Sequence, residues 1–333
     1  MNLNSKQFIT VDTHTGGNPT RTVLAGMPRL KGDTIQKQML DMKENYDYIR
    51  KFLVNPPRGH DVMSGTILLP PIDKQADFSV IFVETGGYLP MCGHDTIGTC
   101  TALVELGYVE RKEPITSVVL DTPAGIVEAK CKVADGKVTE VTFNSTASFH
   151  LKTVEVNYLN KIVHCDIAYG GNFYGIIKAS DLEVTLDVSR SEEIVAKAME
   201  VRDIINCEHE IEHPEYEFIN KLTHMELYEE GEVTKNTVIV PPGGIDRSPC
   251  GTGTCAKVAT LFKKDRMGIN DTFIHESITG SQFKAQLLDA KEKDGIIYNQ
   301  VSITGSAWLM ARHDFYMHES DSMNEGYLLI PEI

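Results

Sequence analysis

The chain has 333 residues, of which 41% are hydrophobic and 24% are charged, a balance that is typical of a globular protein with a sizeable core. It carries 32 lysines and arginines against 47 aspartates and glutamates, which gives a net charge of −15 at pH 7. An acidic surface of this kind argues against nucleic acid or an anionic membrane as the partner.

The apolar runs and the cysteines indicate the cellular compartment of the protein. No run reaches the roughly eighteen apolar residues of a membrane span, and the first six residues lack the apolar core of a secretory signal. The seven cysteines are an odd, scattered set rather than a disulfide framework. We therefore predict a cytoplasmic protein without a membrane partner.

The first half of the chain contains one glycine-rich turn and one turn with a cysteine. A Gly-Gly-Asn turn occupies residues 16–18. Residues 91–98 (MCGHDTIG) lead into an apolar-periodic stretch, which predicts an amphipathic helix that starts after Cys92. Strand-like β-rich runs lie at residues 78–83, 117–120 and 138–143.

The second half repeats this order. A Gly-Gly-Asn turn at residues 170–172 is followed by helical spacing at 192–204 and a β-rich run at 237–240. Residues 246–254 (DRSPCGTGT) then lead into another apolar-periodic stretch, which predicts a second helix after Cys250.

The two halves match at three landmarks. Cys92 follows Gly17 by 75 residues, and Cys250 follows Gly171 by 79. A similar strand-like piece comes after each cysteine helix, at residues 122–129 and 278–285. Gly-Gly-Asn is a common turn and one match would carry little weight, but three in the same order favour an internal duplication.

The mixture of many short strands and few helices predicts an α+β fold. We expect two pseudo-symmetric domains, each a mostly antiparallel sheet wrapped round a central helix. The predicted boundaries are residues 1–155 for the half with Cys92 and 156–315 for the half with Cys250. A C-terminal tail at 316–333 is expected to pack back on the first half.

Both cysteines sit where a helix begins, and this position favours chemistry. The unpaired N–H groups and the helix dipole stabilise a thiolate there. The same N–H groups form a site for an anion such as a substrate carboxylate. Two such cysteines therefore indicate a catalytic pair acting on a small carboxylate.

These motifs resemble the proline racemase family. Residues 91–94 and 246–254 carry the resemblance, and it extends over nearly the whole chain through residues 12–17, 57–61, 170–172 and 302–307. The resemblance implies the two-domain fold of diaminopimelate epimerase, with the active site in the cleft between the domains. It further implies an isomerase that needs no cofactor or metal, acts on a small molecule and forms a homodimer.

The resemblance also assigns roles to individual residues. Cys92 and Cys250 become the two acid/base thiols, one removing the α-proton and the other delivering one. Gly93, His94, Gly251 and Thr252 match the residues that hold the substrate carboxylate, and Asp246 matches the acceptor for the ring ammonium.

Three activities occur in the family: proline racemase, 4-hydroxyproline 2-epimerase and trans-3-hydroxyproline dehydratase. Dehydratases typically carry Thr at the second cysteine position, so Cys250 argues against dehydration. Racemases typically have Phe at the positions of Ser64 and Val240 and an apolar residue at that of His224. Ser64 and His224 are plausible partners for a ring hydroxyl, which implies the epimerase, with proline racemase as the alternative.

Other functions are less favoured. A hydrolase with a Cys92–His94 dyad leaves Cys250 without a role, and residues two apart rarely align as nucleophile and base. A zinc site from Cys92, His94, Cys250 and Cys255 lacks paired Cys-x-x-Cys spacing. The remaining cysteines are interpreted as small buried hydrophobes: Cys100, Cys131, Cys165, Cys207 and Cys255.

Overall fold

The computed structural model describes residues 5–217, 219–241 and 243–328, which form eighteen strands, five α-helices and two short 3-10 helices, Ala179–Leu182 and Val188–Arg190. The elements before residue 145 are β1 (Ser5–Thr15), β2 (Asn18–Ala25), α1 (Ile35–Asn45), α2 (Asp47–Val54), β3 (Ser64–Leu69), β4 (Phe78–Glu84), β5 (Gly87–Leu89), α3 (Gly93–Glu105), β6 (Ile115–Thr122), β7 (Gly125–Ala134) and β8 (Lys137–Asn144). Those that follow are β9 (Phe149–Tyr158), β10 (Lys161–Tyr169), β11 (Phe173–Lys178), α4 (Ser191–Glu208), β12 (His224–Glu229), β13 (Thr234–Val240), β14 (Gly244–Asp246), α5 (Gly251–Lys263), β15 (Thr272–Ser277), β16 (Gln282–Lys293), β17 (Ile296–Gly305) and β18 (Ala307–His318). None of the helices in the described part of the chain combines the length and the apolar character of a membrane span.

The chain divides into two compact units. The first unit contains the residues up to Phe143 and those from Gly305 onward, and the second contains Asn144–Thr304. These limits differ from the predicted boundaries at 155 and 315. The strand β9 pairs with β10, which assigns residues 149–155 to the second unit, and β18 pairs along the full length of β1, which assigns residues 307–315 to the first.

The C-terminal segment after β18 contacts the end of α2 within the first unit. The guanidinium of Arg58 donates to the carbonyl oxygen of Asn324 at 3.0 Å. The side-chain amide of Asn55 donates to the carbonyl oxygen of Glu325 at 3.1 Å. The backbone of Tyr327 adds a hydrogen bond to Pro56, so this part of the tail lies against the first unit.

The strands of the two units pair in the same order. The first unit runs β18-β1-β2-β3-β4-β6-β7-β8, and the second runs β9-β10-β11-β12-β13-β15-β16-β17. The pairs β2–β3 and β4–β6 are parallel, and so are their counterparts β11–β12 and β13–β15. The other pairs in these two orders are antiparallel, so one topology occurs twice, as an internal duplication requires.

One buried helix lies at the centre of each unit. Every residue of α3 from Gly93 to Val104 is buried, and so is every residue of α5 from Gly251 to Leu261. The helix α3 packs against β1, β2, β3, β7 and β18, while α5 packs against β9, β10, β11 and β16. A helix that is buried on all sides needs strands around its whole circumference, which is the arrangement predicted from the sequence.

The other helices cover the outer faces of the sheets. In the second unit, Ile194, Ala198, Val201 and Ile205 of α4 recur at helical spacing and join the core formed by β9–β12. In the first unit, α1 and α2 contribute residues such as Met42 and Phe52 to the core. Each unit therefore has its own hydrophobic core, with its cysteine helix held inside the sheet.

Candidate active site

Cys92 occupies the N-cap position of α3, with an extended backbone (φ −138°, ψ 126°). Its Sγ lies 3.4 Å from Nδ1 of His94, and only 8% of the residue is exposed. Burial and the charge of the neighbouring Asp95 carboxylate raise the pKa of the Cys92 thiol well above its ordinary value. The Cys92 thiol and the His94 ring therefore lie within hydrogen-bond distance of each other, although residues two apart in sequence were not expected to align.

The ring of His94 is held on its other side by β2 and β3. Its Nε2 lies 2.8 Å from Oγ of Ser64 and 3.2 Å from the side-chain amide of Asn18. The carbonyl oxygen of His94 accepts a hydrogen bond of 3.0 Å from the hydroxyl of Thr15, at the end of β1. The histidine is thus fixed through both its ring and its backbone.

Ser64, predicted as a partner for a substrate hydroxyl, is 3% exposed and already bonded to protein atoms. Its hydroxyl lies 2.8 Å from Oδ1 of Asp95 and 3.1 Å from the carbonyl oxygen of Pro19, besides its contact with His94. Its role as a direct ligand stays a prediction; the observed contacts place it as a support for the His94 ring.

Cys250 occupies the N-cap position of α5 and has a left-handed backbone (φ 62°). Such a conformation is strained for a residue with a Cβ, at a cost of about 1–3 kcal/mol, and strain of this kind clusters at active sites. The backbone N–H of Gly253 donates to Sγ at 3.4 Å, while the N–H of Cys250 donates to Oγ of Ser248 at 3.2 Å. These two bonds hold the strained residue at the start of the helix.

Two hydroxyls also lie beside this sulfur. The phenol oxygen of Tyr174 is 3.4 Å from Sγ of Cys250, and Oγ1 of Thr252 is 3.7 Å from it. Burial, followed by the charge of Asp246, raises the pKa of the Cys250 thiol, whereas Tyr174, the N–H of Gly253 and Thr252 oppose the increase. Sequence reasoning missed Tyr174, although its place directly after the second Gly-Gly-Asn turn and Phe173 was an available signal.

His224 is the first residue of β12 and lies opposite Tyr174 in the parallel pair β11–β12. The two rings are 5.0 Å apart between centroids. Burial, with a smaller contribution from the charge of Arg202, lowers the pKa of His224 to about 4, so that its ring is neutral at pH 7. Ser64 lies opposite Thr20 in the corresponding pair β2–β3, so both predicted specificity residues occupy equivalent strand positions.

The remaining predicted residues of the second unit surround the start of α5. Asp246 is 4% exposed, and its Oδ1 accepts hydrogen bonds of 2.8 Å from both the backbone N–H and the hydroxyl of Ser248. Gly251 and Thr252 form the first turn. A Cβ at Gly170 would come within 2.1 Å of the Thr252 carbonyl oxygen, so the glycine turn is needed for close packing against the helix start.

Among the residues that the structure describes, one group of three offers side chains of the kind that hold a metal ion. One ligand atom each from Cys92, His94 and Asp95 lies within 4.8 Å of the others. The two ring nitrogens of His94 point to different partners, however: Nδ1 to the sulfur and Nε2 to the carboxylate, at 3.3 Å. Three ligands are one fewer than the four of a structural zinc site, and the absence of a metal stays a prediction.

The other cysteines have varied environments. Cys100, Cys131, Cys165 and Cys255 are buried, as predicted for small hydrophobes, but Cys207 near the end of α4 is exposed. All seven cysteines are free thiols in the structure.

Comparison with known proteins identifies the relatives of this chain. It is 54% identical to an uncharacterized protein of Bacillus anthracis over 98% of the chain and 96% of the relative. It is 41% identical to a proline racemase of Acetoanaerobium sticklandii and 37% identical to a 4-hydroxyproline 2-epimerase of Streptosporangium roseum, each over 97% of the chain and 98% of the relative. The solved structure of a hydroxyproline epimerase from Agrobacterium vitis, with bound trans-4-hydroxy-L-proline, has a TM-score of 0.89 at 29% identity, covering 97% of this chain and 96% of that one.

These similarities define the class of protein: the chain is an isomerase of the racemase and epimerase type, as predicted. The family model described as proline racemase matches residues 10–328. The chain therefore belongs to the proline racemase family, and the α+β fold predicted from its mixture of strands and helices is confirmed.

Proposed function

We propose that this protein is a 4-hydroxyproline 2-epimerase that interconverts trans-4-hydroxy-L-proline and cis-4-hydroxy-D-proline. The reaction inverts the α-carbon, so a proton must leave one face and another must arrive at the opposite face. Cys92 and Cys250 are the proposed bases: one enters as a thiolate and removes the proton, while the other donates its own. The roles exchange in the reverse reaction.

The start of each cysteine helix supplies the other requirement of the reaction. Negative charge that develops at the α-carbon is shared with the substrate carboxylate, and preorganised N–H groups stabilise it. We assign this role to the backbone of Gly93 and His94 in one unit and of Gly251 and Thr252 in the other. The buried carboxylate of Asp246 is the proposed acceptor for the ring ammonium.

The observation that carries the choice of substrate is the neutral imidazole of His224 next to Tyr174, the residue that contacts the Cys250 sulfur. A neutral ring can donate to or accept from a substrate hydroxyl, whereas an apolar side chain there offers neither. A buried hydroxyl without a partner costs about 1–3 kcal/mol, so a polar group at this position favours hydroxyproline over proline.

Proline racemase is the second candidate, and two observations favour it. The chain is 41% identical to a protein named proline racemase, slightly more than to the 4-hydroxyproline 2-epimerase. In addition, the Ser64 hydroxyl is bonded to His94 and Asp95, so that His224 is the one remaining proposed partner for a ring hydroxyl instead of two.

The cytoplasmic location and the homodimer implied by the family resemblance stay predictions.

One experiment distinguishes these activities. The protein is incubated in deuterated water with trans-4-hydroxy-L-proline or with L-proline, and the α-proton is followed by NMR while optical rotation is recorded. We expect loss of the α-proton signal together with inversion, faster for the hydroxylated substrate. Faster inversion of proline would identify the racemase, formation of a pyrroline would identify a dehydratase, and no exchange with either substrate would refute the proposal.

A further inference from the structure

The phenol of Tyr174 is almost completely buried, with 1% of the residue exposed. Its oxygen lies 3.4 Å from Sγ of Cys250 and 2.6 Å from Oγ1 of Thr252. A buried tyrosine hydroxyl needs hydrogen-bond partners, and these two belong to the first turn of α5 or its cap, while the side chain of Asn172 also bonds to the hydroxyl. The hydroxyl is therefore directed at the start of the helix, where the proposed base lies.

The backbone of the first turn of α5 leaves space for the Tyr174 ring beside the Cys250 sulfur. A Cβ at Gly253 would lie 3.2 Å from Cε1 of Tyr174, closer than most side-chain contacts allow. The absence of a side chain at Gly253 thus leaves room for the ring beside Cys250. On the other side, pairing of β11 with β12 fixes the backbone of Tyr174 opposite His224.

We propose that Tyr174 is a positioning residue that donates its phenol hydrogen bond to Sγ of Cys250 and stabilises the thiolate. The inference rests on the proposed function, in which Cys250 exchanges a proton with the α-carbon. Tyr174, which is not one of the two thiols, then contributes to how readily Cys250 ionises.

The chemistry of the three groups is consistent with both protonation states of the sulfur. When Cys250 is a thiolate, Tyr174 donates to it and Thr252 donates to the phenol oxygen, so each hydrogen has an acceptor. When Cys250 is a thiol, its S–H can donate to the phenol oxygen while the phenol turns to Oγ1 of Thr252. The reacting proton moves only between substrate and Sγ, because burial raises the pKa of Tyr174 well above its ordinary value and the phenol keeps its own proton.

The Cys92 thiol offers an internal comparison. Its Sγ lies 3.4 Å from Nδ1 of His94, and the backbone and side chain of Asp95 also interact with it. Tyr174 contacts Cys250 and Thr252 but belongs to the other unit from Cys92. Loss of the phenol should consequently change the ionisation of Cys250 and leave that of Cys92 as it is.

The test is the rate of alkylation by iodoacetamide from pH 5 to pH 10, measured for each cysteine by peptide mass spectrometry, in the wild type and in Tyr174→Phe. The thiolate is the reacting form, and a hydrogen bond to a charged group is lost, so we expect Cys250 to react about tenfold more slowly at neutral pH, with its whole rate–pH profile displaced to higher pH. The Cys92 peptide should be unaffected. Tyr158→Phe is the matched control, since that buried tyrosine donates its hydroxyl to Glu200 in another part of the unit.

A second readout is the pH dependence of kcat/KM. In Tyr174→Phe the acidic limb of the kcat/KM profile should move to higher pH. The shift should be the same for the forward and the reverse reaction, because the equilibrium constant fixes the ratio of their kcat/KM values. An unchanged Cys250 profile, equal slowing of both cysteines, or a uniform fall in kcat/KM with an unmoved limb would each overturn the assignment of Tyr174. Failure of the proposed function is distinguishable, since wild-type protein would then show no α-proton exchange, whatever the alkylation results.

Discussion

The hydroxyl of Ser64 lies 2.8 Å from Nε2 of His94 and 2.8 Å from Oδ1 of Asp95, and so connects a buried carboxylate to the ring beside the Cys92 sulfur. A carboxylate only accepts hydrogen bonds, so a hydroxyl that donates to Asp95 accepts from His94 when Nε2 carries a proton. Nδ1 is then an acceptor, 3.4 Å from Sγ, for the thiol proton of Cys92. The side-chain amide of Asn18 lies 3.2 Å from the same Nε2 and also supports the ring.

We predict that Ser64→Ala lowers kcat by about tenfold, because loss of the hydroxyl between Asp95 and Nε2 of His94 removes one of the contacts that orient the ring. Steady-state kinetics and the urea-unfolding free energy are measured together. Ser79→Ala is the matched control: Ser79 is buried in β4, donates to Asp121 at 2.7 Å and accepts from the backbone N–H of Ile72 at 3.0 Å. Equal loss of activity in both variants would contradict the specific role of Ser64.

Replacing either proposed base should abolish inversion. A serine hydroxyl is too weakly acidic to take the place of a thiol in proton transfer, so we expect Cys92→Ser and Cys250→Ser each to lose about 10²- to 10⁴-fold in turnover. Polarimetry provides the measurement. The control is Cys207→Ser at an exposed position, and full turnover in either site variant would refute the mechanism with two bases.

Substrate preference should depend on His224. In His224→Val the polar partner for a ring hydroxyl is lost, so the ratio of kcat/KM for hydroxyproline to that for proline should fall by about 10- to 100-fold. The exposed His164→Val on β10 provides a matched change elsewhere in the unit. If the ratio is the same as in the wild type, His224 has no part in specificity.

His224 should also make the protein sensitive to acid. Its pKa is lowered to about 4 in the folded state, mainly by burial, whereas the unfolded chain protonates it near its ordinary value of 6.5. As the pH falls through this interval, the unfolded state binds a proton that the folded state does not, and about 3 kcal/mol of stability is lost. We expect His224→Gln to reduce the change in unfolding free energy between pH 7 and pH 4.

The measurement is urea denaturation at several pH values, with His164→Gln as the control for an exposed histidine. A variant whose stability falls with pH as steeply as that of the wild type would show that His224 does not titrate in this way.

A close approach in the first unit provides a test of packing. A Cβ at Gly98 in α3 would come within 2.4 Å of Oγ1 of Thr13 and 3.0 Å of Oγ1 of Thr20. Alanine is the better helix former, yet overpacking costs about 1–3 kcal/mol, so Gly98→Ala should destabilise the protein. Adding Thr13→Ala removes the nearest atom and should recover part of the loss in thermal denaturation. A gain in stability from Gly98→Ala alone would contradict the observed contact.

Local signals in the sequence predicted much of this structure. The β-rich runs at 78–83, 117–120, 138–143 and 237–240 all lie within strands, and α4 contains the helical spacing at 192–204. The predicted domain boundary, by contrast, falls within β9. A strand looks the same in sequence whichever sheet it joins, and only its pairing with β10 assigns it to the second unit.

The amino-acid sequence alone determined that the chain is duplicated and that each copy begins a helix directly after a cysteine, because a helix cap depends on residues within one turn of it. Tertiary structure decided which groups contact each sulfur or support its neighbours. Tyr174 contacts Cys250, which is 76 residues away in the sequence, and Ser64 contacts His94, which is 30 residues away. Such contacts are set by the register of the strands around the central helices, and no local pattern encodes that register.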